Sequence, residues 1–186
     1  MLSISDIKTG KTISLNNEPY LVIFHQHSKT GRAGAVLRTK IRNLKTGAIL
    51  EKTFQSADKI EDAEIAKSKA QFLYKDGEDY FFMDNVNYEQ FSLPESVLAD
   101  STKFLIDGTE VTILVFNGTP INIELPVKME FKVVEAPPAI KGNTADGGSK
   151  QVTLETGVKV NTPLFIKQGD IIRIHTETGE YAERAK

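Results

Sequence analysis

Strand-like patterns of apolar and polar residues dominate this chain, and helical periodicity is scarce. Residues 20–24 form an apolar run, residues 36–44 alternate, and residues 49–54 follow the turn-like Thr46-Gly47. The same signals predict strands over residues 71–74, 80–83, 110–116, 120–124, 127–134, 152–155 and 171–175. Turn signals punctuate them at Asp76-Gly77, Asp107-Gly108, Asn117-Gly118, Gly147-Gly148, Gln168-Gly169-Asp170 and Thr178-Gly179. Helix is predicted at two places. Residues 56–67 could be capped by Ser56 or Asp58, and residues 94–105 begin with a proline suited to a first turn. Many short strands at close spacing predict an all-β protein of antiparallel sheets closed into small barrels.

Two breaks divide the chain. An acidic, alanine-bearing stretch at 58–69 separates the first strand set from the second, and a shorter joint falls at 126–128. The expected units are therefore residues 1–63, 64–128 and 129–186. Segments of about 60 residues are marginal as isolated folds, so the three should lean on one another through short junctions.

The net charge of −2 hides a division. Residues 1–60 carry ten Lys/Arg and four Asp/Glu, residues 61–128 five and thirteen, and residues 129–186 eight of each. The first segment is thus at +6 and the second at −8. Such asymmetry suggests that the first segment meets a polyanion. Between Glu18 and Glu51 there is no acidic residue, but there are Lys29, Arg32, Arg38, Lys40, Arg42 and Lys45. With 186 residues, no cysteine and no apolar run long enough to cross a membrane, the expectation is a soluble, cytoplasmic protein. A disulfide scaffold, a thiolate metal site and a cysteine nucleophile are excluded.

On a strand over 36–44, Arg38, Lys40 and Arg42 share one face, and Leu37, Thr39 and Ile41 the other. Successive cations then stand about 7 Å apart, a spacing suited to a nucleic-acid backbone as well as to a solvated face. Just before them, Lys29-Thr30-Gly31-Arg32-Ala33-Gly34 has the composition of an exposed hairpin tip with Arg32 at its centre. That arginine fits a crevice lined by phosphates or bases, or an ordinary turn. His25, His27 and His175 lack the further ligands of a metal site and read as strand-surface histidines. Asp76, Glu78, Asp79 and Asp84 read as a solvated acidic face. The loop 142–150 lacks the Gly-Lys-Ser/Thr ending of a phosphate loop. No catalytic constellation is legible, so a non-enzymatic protein without metal or cofactor is expected.

These motifs carry a resemblance to bacterial translation elongation factor P. Lys29-Thr30-Gly31-Arg32-Ala33-Gly34-Ala35 and Arg38-Thr39-Lys40-Ile41-Arg42-Asn43-Leu44-Lys45-Thr46-Gly47 resemble the family's first-domain tip and strand. Phe82-Met83-Asp84 with Tyr88-Glu89-Gln90 resembles its middle domain. Pro137-Pro138-Ala139-Ile140-Lys141-Gly142-Asn143-Thr144, continuing through Gly147-Gly148-Ser149-Lys150, resembles its last domain, as does the ending from Thr178 to Ala185. The resemblance implies three small β-barrels in an L shape: an SH3-like (KOW-like) barrel, then two OB folds. It implies a monomeric factor that binds both ribosomal subunits between the peptidyl and exit tRNA sites, beside peptidyl-tRNA, away from any membrane. There it would stimulate peptide bonds that form slowly, notably between consecutive prolines.

The resemblance places Arg32 beside the CCA end of peptidyl-tRNA, where many relatives carry a modified lysine; a bare arginine, or one rhamnosylated by a tip-modifying enzyme, are both open. It gives Lys29, Gly31, Gly34, Arg38, Lys40 and Arg42 to ribosomal RNA and tRNA. It gives Gly142, Asn143, Thr144, Gly147, Gly148, Ser149, Lys150, Tyr181 and Arg184 to the small-subunit, messenger side. The competing readings are a paralogue of that factor and a general OB-fold RNA-binding protein. The latter predicts surface aromatics in a basic groove, whereas Tyr74, Tyr80, Phe81 and Phe82 lie in the acidic segment.

Overall fold

The computed structural model describes residues 2–30, 34–138 and 148–185, with backbone alone for 29, 30, 34 and 35. It is a chain of three small β-barrels, each built on one five-stranded sheet in which every neighbouring pair is antiparallel.

The first sheet comprises β1 (Thr12–Leu15), β2 (Glu18–Thr30), β3 (Gly34–Asn43), β4 (Ile49–Gln55) and β5 (Glu61–Asp62), in the order β4-β3-β2-β1-β5. Its core gathers Ile7, Ile13, Val22, Leu37, Ile41, Phe54 and Ile60. β1 and β2 are joined by Asn16-Asn17, both with positive φ, the backbone that matches the right-handed twist of a two-residue hairpin.

The second sheet comprises β6 (Ile65–Asp76), β7 (Asp79–Asp84), β8 (Gln90–Pro94), β9 (Glu110–Phe116) and β10 (Thr119–Glu124), ordered β10-β9-β6-β7-β8. Asn117-Gly118 makes a second hairpin with two positive φ values. The third sheet comprises β11 (Lys128–Glu135), β12 (Ser149–Leu154), β13 (Lys159–Pro163), β14 (Ile171–His175) and β15 (Tyr181–Arg184), ordered β13-β12-β11-β14-β15.

The helix expected at 56–67 does not form. Ile60 is buried and its carbonyl accepts the Leu2 amide, Glu61–Asp62 pairs with β1, and β6 begins at Ile65. Asp58 caps a turn instead, accepting the Gln55 amide at 2.8 Å. Tertiary pairing here outweighs local propensity. At 94–105 helix forms only as α1 (Glu95–Leu98), followed by a 3-10 turn (Ala99–Phe104); Pro94 is the N-cap, and Ala99 with φ of 47° ends α1.

The barrels are joined by apolar contact. Leu44 and Ala63 meet Leu114, Phe116 and Ile121 of the second barrel, with Leu21 and Ile65 packed alongside. Leu114 and Phe116 lie at one end of the second sheet, opposite its core. Burying side chains of that size stabilises the joint by about 1.5–3 kcal/mol each. Across the same joint the Asn122 amide donates to the Leu44 carbonyl at 3.0 Å.

Candidate nucleic-acid interface

β3 supplies the floor of the site. Leu37, Thr39 and Ile41 point into the first barrel and are buried; the Thr39 hydroxyl is satisfied by the Lys52 carbonyl at 2.8 Å. The intervening Arg38, Lys40 and Arg42 are exposed on the outer face. Strand register sets their neighbours. Arg38 stands between Gln26 and Thr53, Lys40 between Phe24 and Glu51, and Arg42 between Leu21 and Ile49. Over the first two rows lies an open groove of about 460 Å3.

The three cations are not equivalent. Lys40 faces Glu51 with 3.3 Å between Nζ and Oε1, whereas the Arg38 and Arg42 side chains have no hydrogen bond or ion pair among the described residues. Both Lys40 and Glu51 are well exposed, so their attraction is screened and contributes little to stability.

Phe24 is the residue that strand alternation misplaces. Val22 is buried opposite Ile41, so strict alternation would bury Phe24 as well. A register shift between Val22 and Phe24 places Phe24 opposite Lys40 instead, on the outer face and 47% exposed. The same shift puts His25 and His27 opposite the inward-facing Thr39 and Leu37, with their rings T-shaped at 6.0 Å. The Thr9 amide donates to His25 Nδ1 at 3.1 Å, which makes that nitrogen an acceptor. His175 lies in the third barrel, opposite Lys128.

The acidic residues of the second barrel organise turns. Asp76 and Asp79 flank the β6–β7 hairpin, and Asp84 lies at the other end of β7. Asp84 accepts the Val86 amide at 2.7 Å, and that bond chiefly holds its carboxyl below the usual range.

In the third barrel Gly148, Ser149 and Tyr181 line one groove of about 500 Å3 together with Asn161, Thr162 and Glu180. Two other residues of the expected messenger side are engaged elsewhere. The Lys150 ammonium donates to the Pro137 carbonyl at 3.0 Å, and the Arg184 guanidinium lies over the Phe165 ring, 6.0 Å from its centroid. Gly31, Arg32, Gly142, Asn143, Thr144 and Gly147 lie outside the described residues, and for Lys29 and Gly34 only the strand backbone is described.

Family comparisons follow this three-part order. Residues 3–60 match the family model described as elongation factor P KOW-like domain. Residues 65–123 match the elongation factor P OB domain, and residues 129–184 match elongation factor P, C-terminal. The class so defined is a translation factor built of KOW-like and OB-type β-barrels. Elongation factor P of Moorella thermoacetica is 46% identical over 185 residues, covering 100% of both chains. That of Natranaerobius thermophilus is 45% identical over 186 residues, covering 100% of this chain and 99% of its own. The chain belongs to the elongation factor P family, and its role is that of a translation elongation factor. Among solved structures, a eukaryotic translation initiation factor 5A from Methanococcus jannaschii shares the fold. Its TM-score is 0.55 at 22% identity, over 67% of this chain and 90% of that one.

Proposed function

We propose that this chain binds the ribosome between the peptidyl and exit tRNA sites, stabilises peptidyl-tRNA and stimulates peptide-bond formation, relieving stalling at consecutive prolines. The observation that carries the reading is the exposed cationic row Arg38, Lys40, Arg42, standing on the longest hairpin of a chain in this family. Two of those cations have no protein partner among the described residues. They suit phosphates of ribosomal RNA and tRNA, which would fix the orientation of the first barrel.

Arg32 lies in sequence between β2 and β3. Arg32, bare or carrying a sugar added by a modifying enzyme, would restrain the CCA end of peptidyl-tRNA through its planar fork of donors. Proline is a poor nucleophile with a fixed φ, so holding the peptidyl-tRNA end in a productive pose lowers the barrier by positioning. The chemistry remains the ribosome's. In the third barrel, Gly148, Ser149 and Tyr181 support contacts to single-stranded RNA on the messenger side.

The test is reconstituted synthesis of a peptide with consecutive prolines. Arg32→Ala should keep the fold and bulk translation while sharply slowing the proline–proline step. Arg32→Lys should recover part of the rate. Full activity of the alanine variant would remove the tip from the mechanism.

A further inference from the structure

We infer that Phe24 is a stacking platform for one unpaired nucleotide of the RNA held by the first barrel, a role that rests on the ribosome-binding reading above. The residue is a bare phenyl ring, 47% exposed, in the middle of a cationic sheet face. The ring belongs to none of the apolar clusters among the described residues, and the first barrel's buried core is gathered from other residues. The register shift after Val22 is what turns it outward.

Its neighbours match the parts of a nucleotide. Residues directly opposite on paired strands stand about 5 Å apart, and residues two along a strand about 7 Å. Arg38, one row from Phe24, is therefore within reach of the phosphate of a base lying on the ring. Gln26, two residues from Phe24 on β2, is exposed on the same face and offers an amide donor and acceptor to a base edge. The groove over these residues, about 460 Å3, falls within the size of small-ligand sites. Charge selects the occupant. The first 60 residues stand at +6, and among the described residues the groove is lined by Arg38, Lys40 and Lys52 against Glu51, so the surface favours a polyanion with aromatic faces over a cationic or neutral peptide.

The experiment measures binding of the full chain to 70S ribosomes carrying peptidyl-tRNA, across a range of salt. Phe24→Ala should weaken binding about ten-fold, in line with the loss of one base stack. It should leave the slope of log affinity against log salt unchanged, because a phenyl ring releases no counterions. Phe24→Tyr should bind as the parent does, and Phe24→Leu should resemble the alanine variant, because it stays apolar but lacks a π-face. A photo-crosslinking phenylalanine at position 24 should label RNA.

Parent-like binding by Phe24→Leu, or labelling confined to ribosomal proteins, overturns the stacking role. If Arg38→Ala still lowers affinity and salt slope in that case, the ribosome-binding reading stands alone. If neither Phe24→Ala nor Arg38→Ala alters binding, both fall.

Discussion

Phe104, the last residue of the second barrel's 3-10 turn, lies against Phe131 of the third barrel, with 5.8 Å between ring centroids and the planes tilted by 39°. Phe104 is buried within a cluster whose other buried members, from Phe131 to Ile174, belong to the third barrel. The second barrel thus supplies a core residue to its neighbour. Around that plug the Thr176 amide and hydroxyl reach back to the carbonyls of Val127 and Pro126. The short turn therefore acts as the joint between two barrels that are marginal alone.

Removing the plug should loosen the third barrel selectively. Phe104→Ala deletes a buried aromatic and leaves a cavity, a change that costs about 3–5 kcal/mol in packed cores. Amide exchange should accelerate in β11 to β15 while β2 to β4 keep their protection. Equal exchange throughout the chain would show that the third core closes without Phe104.

The turn between β3 and β4 should carry an acid-sensitive part of the stability. Asn43 is buried, and its Oδ1 accepts the amides of Lys45 and Thr46 at 2.8 and 3.0 Å. Its Nδ2 donates to Glu18 at 2.6 Å. That hydrogen bond, ahead of the Lys45 charge, holds the Glu18 carboxyl below its ordinary 4.5. A carboxylate with a depressed folded value adds stability that is complete above the unfolded value and disappears as pH falls through the folded one. Glu18→Gln should therefore be less stable than the parent at neutral pH, with the gap closing below pH 4.5. Asn43→Ala should cost about 1–3 kcal/mol, because it removes the acceptor of two turn amides and the donor to Glu18 at once. Urea unfolding at several pH values checks both; a gap between parent and Glu18→Gln that does not vary with pH would remove Glu18 from the acid response.

Strands with continuous apolar character and glycine-bearing flanks were legible residue for residue, as at β9 (Glu110–Phe116) and β14 (Ile171–His175). The short strands β1, β5, β8 and β15 were not, nor was β13, whose Lys159-Val160-Asn161-Thr162-Pro163 reads as a loop until β12 lies beside it. β2 exceeds its signal at 20–24 by eight residues, Glu18 and Pro19 held by the ladder with β1 and polar His25 to Thr30 by the ladder with β3. The common face of Arg38, Lys40 and Arg42 followed from a period of two. Phe24 did not, because one register shift reverses every side chain beyond it. The Lys40–Glu51 pair was hidden for a related reason: register across β3 and β4 is a property of the turn between them.

That ion pair gives a gain-of-affinity prediction. Among the described residues, Glu51 is the one acidic side chain lining the Phe24 groove, and it holds the Lys40 ammonium at 3.3 Å. An exposed pair of this kind adds about 0–1 kcal/mol to stability, so Glu51→Gln should unfold close to the parent. If this face meets ribosomal RNA as proposed, the same carboxylate would compete with RNA phosphate for Lys40 and repel the backbone. Glu51→Gln should therefore bind 70S ribosomes more tightly at low salt. If a released Lys40 takes a phosphate, the salt slope should steepen by about 0.7–0.9, the value for one added contact. The double variant Glu51→Gln, Lys40→Gln separates the two effects: relief of repulsion would persist in it, whereas the steeper slope would vanish. A slope that stays at the parent value in Glu51→Gln would mean that Lys40 does not touch RNA, leaving Arg38 and Arg42 as the cations that anchor this face.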